Sequence, residues 1–288
     1  MILNKQKYYD QLFSRIERYI ELGRSGEPYD YKIVIDDEDI IEGDRIDNVK
    51  VRFYIENNRR IMELESSSSY NSIIKKLIAK MTILNDFFEM GIPIISENSI
   101  SNDRVEEYKN YIDKIQEEIR FPDQHNDIIE IDASNYDNIK IIKGLDDKIN
   151  IEFFRNNVET PILKQVLNKE HIFLIAKNQK LTPTTVSILS EDNLDRVDLK
   201  GLFYIEGNIE IHSNSQIKGV LIINKGSIIV NPFTAFKVEG IALLKDYIGE
   251  KIQNKEGIII DYNEKLIKTY GIYLPGFIRP KVQVIKSS

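Results

Sequence analysis

Three stretches of this chain repeat one another, and that repetition limits the fold more than any other feature. Residues 201–211 (GLFYIEGNIEI), 219–230 (GVLIINKGSIIV) and 240–244 (GIALL) each set short β-forming runs between glycines or Asn-rich corners. Gly201, Gly219 and Gly240 lie 18 and 21 residues apart. Self-similarity at about 20 residues marks a solenoid, because each rung has an apolar face that only the next rung buries. The spacing predicts two to three turns of a small β-helix over 199–245. An ordinary meander with glycine turns shares the same local signals.

The rest of the chain reads as a mixture. Residues 3–22 form an amphipathic helix, with Tyr9, Leu12, Phe13, Ile16, Tyr19 and Ile20 at helical spacing and Gly23 as a stop. Val49, Val51, Phe53 and Ile55 alternate with polar residues, as in a half-buried strand, and Met62 and Leu64 continue the pattern on a returning strand. Residues 72–84 fit a helix through Ile73, Ile74, Leu77, Ile78 and Met81, and a strand through Leu77, Ala79, Met81 and Ile83. Residues 103–120 are helical, with Val105, Tyr108, Ile112, Ile115 and Ile119 on one stripe. Short strands are expected at 127–132, 138–143, 149–154 and 171–177, a small helix at 159–169, and β runs at 257–262 and 281–286. The fold class expected is α+β: an N-terminal helix packed on an antiparallel pilin-like sheet (1–90), a mixed middle region (91–195) and a short β-helix (196–288).

Composition narrows the chemistry. Among 288 residues there is no cysteine, no tryptophan and only three histidines, His125, His171 and His212. Thiol catalysis, disulfides and zinc–thiolate sites are therefore excluded. A net charge of −7 gives no electrostatic reason to expect nucleic acid as a partner. The sequence has no phosphate-binding glycine loop, no nucleophile elbow and no zinc-protease helix. Ser-x-x-Lys occurs at Ser72/Lys75 and Ser215/Lys218 without the companion motifs that would make it catalytic. His171 and His212 read as surface or packing histidines. The acidic run Asp36, Asp37, Glu38, Asp39 lacks the alternating ligand spacing and central glycine of a calcium loop, so a solvated turn is expected. Large parallel β-helices do host carboxylate-based polysaccharide lyases and hydrolases, but two or three rungs offer only a short groove. No catalytic residue, metal or cofactor is expected.

Four segments together resemble type IV pilus minor pilins of Gram-positive bacteria, the PilX-like group: residues 4–9 (NKQKYY), 63–76 (ELESSSSYNSIIKK), 199–211 (LKGLFYIEGNIEI), and 258–263 (IIIDYN) through 273–276 (YLPG). The resemblance covers about 40% of the chain and leaves 90–195 unmatched. It implies that residues 73–84 are a strand. It implies a soluble ectodomain whose native form carries a membrane helix ahead of these residues, with helix 3–22 as the outer half of a long pilin helix. It further implies a non-enzymatic surface protein that assembles with other pilin subunits through Tyr9, Leu12, Phe13, Ile16, Tyr19 and Ile20, with sibling minor pilins as partners at a fibre tip. Two other functions fit the solenoid: a bactofilin-like cytoskeletal polymer, and a cell-surface carbohydrate-binding β-helix.

Overall fold

The computed structural model describes residues 5–21, 29–40, 45–57, 59–70, 73–122, 127–155, 158–178, 183–192, 196–246 and 257–287. In chain order the elements are α1 (Gln6–Glu21), β1 (Tyr29–Ile33), β2 (Arg45–Glu56), β3 (Arg59–Tyr70), β4 (Ile73–Leu84), β5 (Ile94–Ile95), α2 (Val105–Glu118), β6 (Ile128–Asp132), β7 (Asn138–Lys143), β8 (Ile149–Phe154), β9 (Leu163–Val166), β10 (His171–Ala176), β11 (Thr184–Ser190), β12 (Val197–Ile211), β13 (Ser215–Asn224), β14 (Ile228–Val230), β15 (Phe236–Lys245), β16 (Ile258–Tyr262), α3 (Glu264–Gly271) and β17 (Ile278–Ser287). The chain divides into two units, Met1–Met90 with Gly276–Ser288, and Gly91–Pro275.

The first unit is built on a five-stranded antiparallel sheet in the order β1-β2-β3-β4-β17. Period-two alternation puts Val51, Leu64 and Ala79 in one cross-strand row and Phe53, Met62 and Met81 in the next, all buried. The 73–84 segment is strand along its whole length, because β3 supplies a continuous partner from Tyr70↔Ile73 to Ile61↔Thr82. The C-terminal strand is held to this unit at its start. The backbone N–H of Asn85 donates to the carbonyl of Phe277 at 2.8 Å, and Phe277 meets Phe88 edge-on at 4.8 Å. Glu89 is buried with Arg60. Its carboxylate accepts the Arg60 backbone N–H at 2.9 Å, the guanidinium lies 3.9 Å away, and burial pushes the carboxyl up to about 7.

The second unit is a parallel solenoid. One face stacks β6, β10, β12, β13, β15 and β16 in parallel register. A second face stacks β7, β11, the far end of β12, and β14, and the antiparallel strands β8 and β9 extend it. Gly201, Gly219 and Gly240 sit directly opposite one another in the register. Each has φ between +142° and +153°, and a Cβ on any of them would lie 1.8 or 1.9 Å from a carbonyl oxygen of the preceding rung. The repeat is glycine-punctuated because nothing larger allows the rungs to stack.

Interior side chains form rows such as Leu199, Ile217 and Val238, or Phe203, Leu221 and Ala242. The outer face of these strands is also buried, at Leu202, Val220 and Ile241, and at Tyr204, Ile222 and Leu243. Burial on both faces explains the nearly unbroken apolar runs of the repeat. Against this region, the hydroxyl of Tyr108 on α2 lies 2.9 Å from the Ile95 carbonyl and 3.0 Å from that of Leu244, and the Tyr270 ring of α3 lies against Gly219.

The α+β expectation is corrected. Strands account for 52% and helices for 20% of the described residues, so the fold is mostly β with two large sheets. The middle region holds α2 together with β6, β7, β10 and β11, which are earlier turns of the same stack, so the β-helix is longer than two to three turns. The helix expected within 159–169 is replaced by β9, which pairs with β8. An N-terminal helix laid along a pilin-like sheet is also not the arrangement found. Contacts of α1 with the sheet include Tyr19 stacked on Phe53 at 4.7 Å and Arg15 over the Tyr31 ring at 4.9 Å. Its first turns are instead tied to the acidic segment at 36–39.

Candidate assembly surface

Of the six helix residues expected to form an assembly face, Leu12, Ile16, Tyr19 and Ile20 are buried. Tyr9 and Phe13 are half-buried, with ring centroids 6.1 Å apart. The stripe that buries runs through Tyr8, which sequence reasoning missed; Tyr8, Leu12, Ile16 and Tyr19 are spaced 4, 4 and 3, and this spacing was the available signal.

The Tyr8 hydroxyl donates to Asp39 at 2.6 Å and accepts the Asp36 backbone N–H at 2.9 Å. Lys7 reaches Asp36 at 2.6 Å and Asp39 at 2.7 Å, and Lys5 also pairs with Asp39. Hydrogen bonds from Lys5, Lys7 and Tyr8 hold the Asp39 carboxyl well below the usual carboxylate range. The acidic run is therefore an anchor for the first helical turns, with ammonium groups where a cation would otherwise sit.

The face of the sheet around β1, β2 and β3 carries a groove of ≈ 410 Å³. Its charges alternate across strands. Arg52 binds Asp30 at 3.1 Å, and Glu65 lies 3.6 Å from the Lys50 ammonium and 3.0 Å from that of Lys76. Opposite signs cancel along this ladder, which gives it cross-strand support and no net field for an ion.

The β4–β17 margin is different. Ile73, Ile74 and Leu77 on β4 are exposed, as are Val282, Val284 and Ile285 on β17, with Ile74 at 74% and Ile285 at 61%. Residues 281–287 are exposed without interruption. Period-two alternation puts Ile73, Leu77, Val282 and Ile285 on one face of this margin and Ile74 and Val284 on the other, so exposed apolar side chains occur on both sides of the β4–β17 pair.

The solenoid holds the most enzyme-like constellation. Glu206, Asn224 and Lys245 are in register on adjacent rungs and all are buried. The Tyr204 hydroxyl donates to Glu206 at 2.8 Å, Asn224 donates to Gln116 of α2 at 3.3 Å, and Lys245 pairs with Asp113 of α2. Burial and the neighbouring Glu206 push the Tyr204 phenol up, so it stays a neutral donor. These groups pair with one another and with Gln116 and Asp113 of α2, with the Asn224 Oδ1 buried without a partner, and the cluster docks the helix.

Other candidates are dispersed. His171 Nδ1 lies 2.8 Å from the Tyr270 hydroxyl, whose phenol is pushed up to about 12 by burial and by Glu170. His212 lies 3.3 Å from Glu210 and 3.0 Å from Asn231. His125 and Ser72 lie outside the described residues. Ser215 and Lys218 are three apart on one strand and so project to opposite faces, while the Ser215 hydroxyl donates to the Ser213 carbonyl at 2.7 Å. Among the described residues, no group of three or more His, Asp or Glu is placed to hold a metal ion. No helix among them is long and apolar enough to cross a membrane. Comparison with protein-family models, curated proteins and solved structures yields no match for this chain.

Proposed function

We propose that this protein is a non-enzymatic structural subunit that acts through protein–protein contacts, as a minor component of a type IV pilus at the cell surface. The observation that carries the reading is the exposed apolar margin of β4 and β17, with Ile73, Ile74, Leu77, Val282, Val284 and Ile285 open to a partner. The ion pairs of Lys5, Lys7 and Lys245 with Asp39, Asp36 and Asp113 lend it support, since they tie elements of the chain to one another. The half-buried Tyr9–Phe13 pair is what remains of the helix face for a neighbouring pilin subunit.

The test is fractionation of the producing cells. The reading predicts recovery of the chain in sheared surface fibres and its co-purification with pilin subunits. Recovery in the cytosol alone would refute it.

A bactofilin-like polymer is the second reading. It is favoured by the solenoid's end strand β16, which among the described residues pairs on one side only and exposes Ile259. That reading predicts smooth intracellular filaments and their loss when Ile259 is replaced by lysine.

A further inference from the structure

The two margins of the five-stranded sheet carry opposite charge. Strands β4 and β17 contain Lys75, Lys76, Lys80, Arg279, Lys281 and Lys286, and no acid. At the other margin, β1 and the segment after it contain Asp30, Asp36, Asp37, Glu38 and Asp39 against one base, Lys32. Lys5 and Lys7 offset part of that charge, yet Asp36 and Glu38 remain 55% and 78% exposed. Lys76 and Lys80 pair with Glu65 of β3 and Glu56 of β2, and Lys75, Arg279, Lys281 and Lys286 keep this margin basic on two strands that are adjacent in space and about 200 residues apart in sequence.

Among the described residues, β1 and β17 are the two strands of this sheet with a neighbour on one side only. The first half of β17 is protected against pairing by Pro280 and by register shifts between Ile278 and Lys281 and between Val282 and Val284. Beyond the second shift, Val284–Ser287 pairs regularly with Leu77–Lys80 and leaves a regular outer edge. β1 is five residues long, a close match to that stretch. Val34, 69% exposed just past β1, offers apolar surface to set against Val284 or Ile285.

We propose that the basic β17 edge of one copy receives the acidic β1 margin of a second copy, which continues the antiparallel sheet from molecule to molecule. The inference rests on the structural-subunit reading above and names the partner as this same chain. Pairing of β17 with its own copy is disfavoured, since it would set Lys281 and Lys286 against lysines. The contact joins two different surfaces, so a pair of subunits leaves one free margin at each end and further copies can add. Because both charged margins are exposed, salt weakens it.

The experiment is sedimentation velocity of the full chain over a concentration and salt series, with two charge-reversed variants. One carries Lys281→Glu and Lys286→Glu, the other Asp37→Lys and Glu38→Lys. These side chains are exposed, and circular dichroism with thermal melting checks that each variant folds; Lys281→Gln with Lys286→Gln replaces the first pair if it does not. The wild type is expected to associate with rising concentration and to dissociate in high salt. Each variant alone is expected to stay monomeric, and an equimolar mixture of the two to recover association, because each then meets an oppositely charged margin. A wild type that stays monomeric throughout, association that survives both reversals, or a mixture that does not recover would each overturn the proposal. A chain found in surface fibres but monomeric in solution would remove this contact and leave the structural-subunit reading standing.

Discussion

Replacing Gly219 by alanine tests the stacking argument at its tightest point. The new Cβ would lie 1.9 Å from the Gly201 carbonyl oxygen and 2.9 Å from the Tyr270 ring, on a backbone at φ +146°. An ordinary carbon–oxygen contact is about 3.3 Å, so the two rungs must separate by more than an ångström. The backbone conformation alone costs about 1–3 kcal/mol for a residue with a Cβ. Each inter-rung hydrogen bond left without a partner in this buried sheet adds about 1–3 kcal/mol. With one such bond lost the total is about 2–6 kcal/mol, a large share of the roughly 5–15 kcal/mol that holds a domain together. Equilibrium urea unfolding of Gly219→Ala should show the loss. Gly91→Ala is the control: its φ of +68° is strained for alanine, yet nothing lies within 4 Å of the added Cβ, and the expected cost is about 1 kcal/mol. If the two variants unfold within about 1 kcal/mol of each other, where natural scatter between surface substitutions lies, the glycine ladder is not what sets the rung spacing.

Three further outcomes follow from the geometry. Burial holds the Glu89 carboxyl at about 7 in the folded protein against 4.5 for a glutamate free in water, so between those values the folded state binds more protons than the unfolded one. Its contribution favours folding at low pH and is lost as pH rises through about 7, amounting to about 3 kcal/mol. Denaturant midpoints measured across pH should lose this slope in Glu89→Gln, which should be the more stable protein at pH 8. Tyr108→Phe removes a buried hydroxyl shared by the Ile95 and Leu244 carbonyls and should lower stability by about 1–2 kcal/mol in the same assay. Ile74→Ser with Ile285→Ser alters only exposed side chains, so stability should change by less than about 0.5 kcal/mol while binding to fibre partners falls in a pull-down.

The sequence carries the later solenoid turns plainly and hides the earlier ones. Register steps run 18, 21 and 22 residues from Gly201 through Gly219 and Gly240 to Tyr262, but 43 and 29 residues from Ile129 through Ile172 to Gly201. The longest turn takes in the β8–β9 excursion, which erases the period. The helix α3 lies between the expected β runs at 257–262 and 281–286; Asn263 caps it through Leu266, and Leu266, Ile267 and Tyr270 follow at helical spacing. Tyr9 was taken for Tyr8 because two overlapping stripes, 9-13-16-20 and 8-12-16-19, both satisfy helical periodicity, and only packing chooses between them. The β4–β17 margin was not legible at all. Local patterns show two strands, but their adjacency joins residues 73–84 to 278–287 and depends on Phe277 docking at Phe88 and Asn85.

The central claim is that this chain works by holding on to other subunits through the β4–β17 margin. Cross-linking mass spectrometry on fibres sheared from the cell surface reads that directly. The account predicts lysine cross-links from Lys75, Lys281 and Lys286 to a second polypeptide, either a pilin subunit or another copy of this chain. Absence of the chain from those fibres, or its presence with intermolecular links from other surfaces and none from these three lysines, would contradict it.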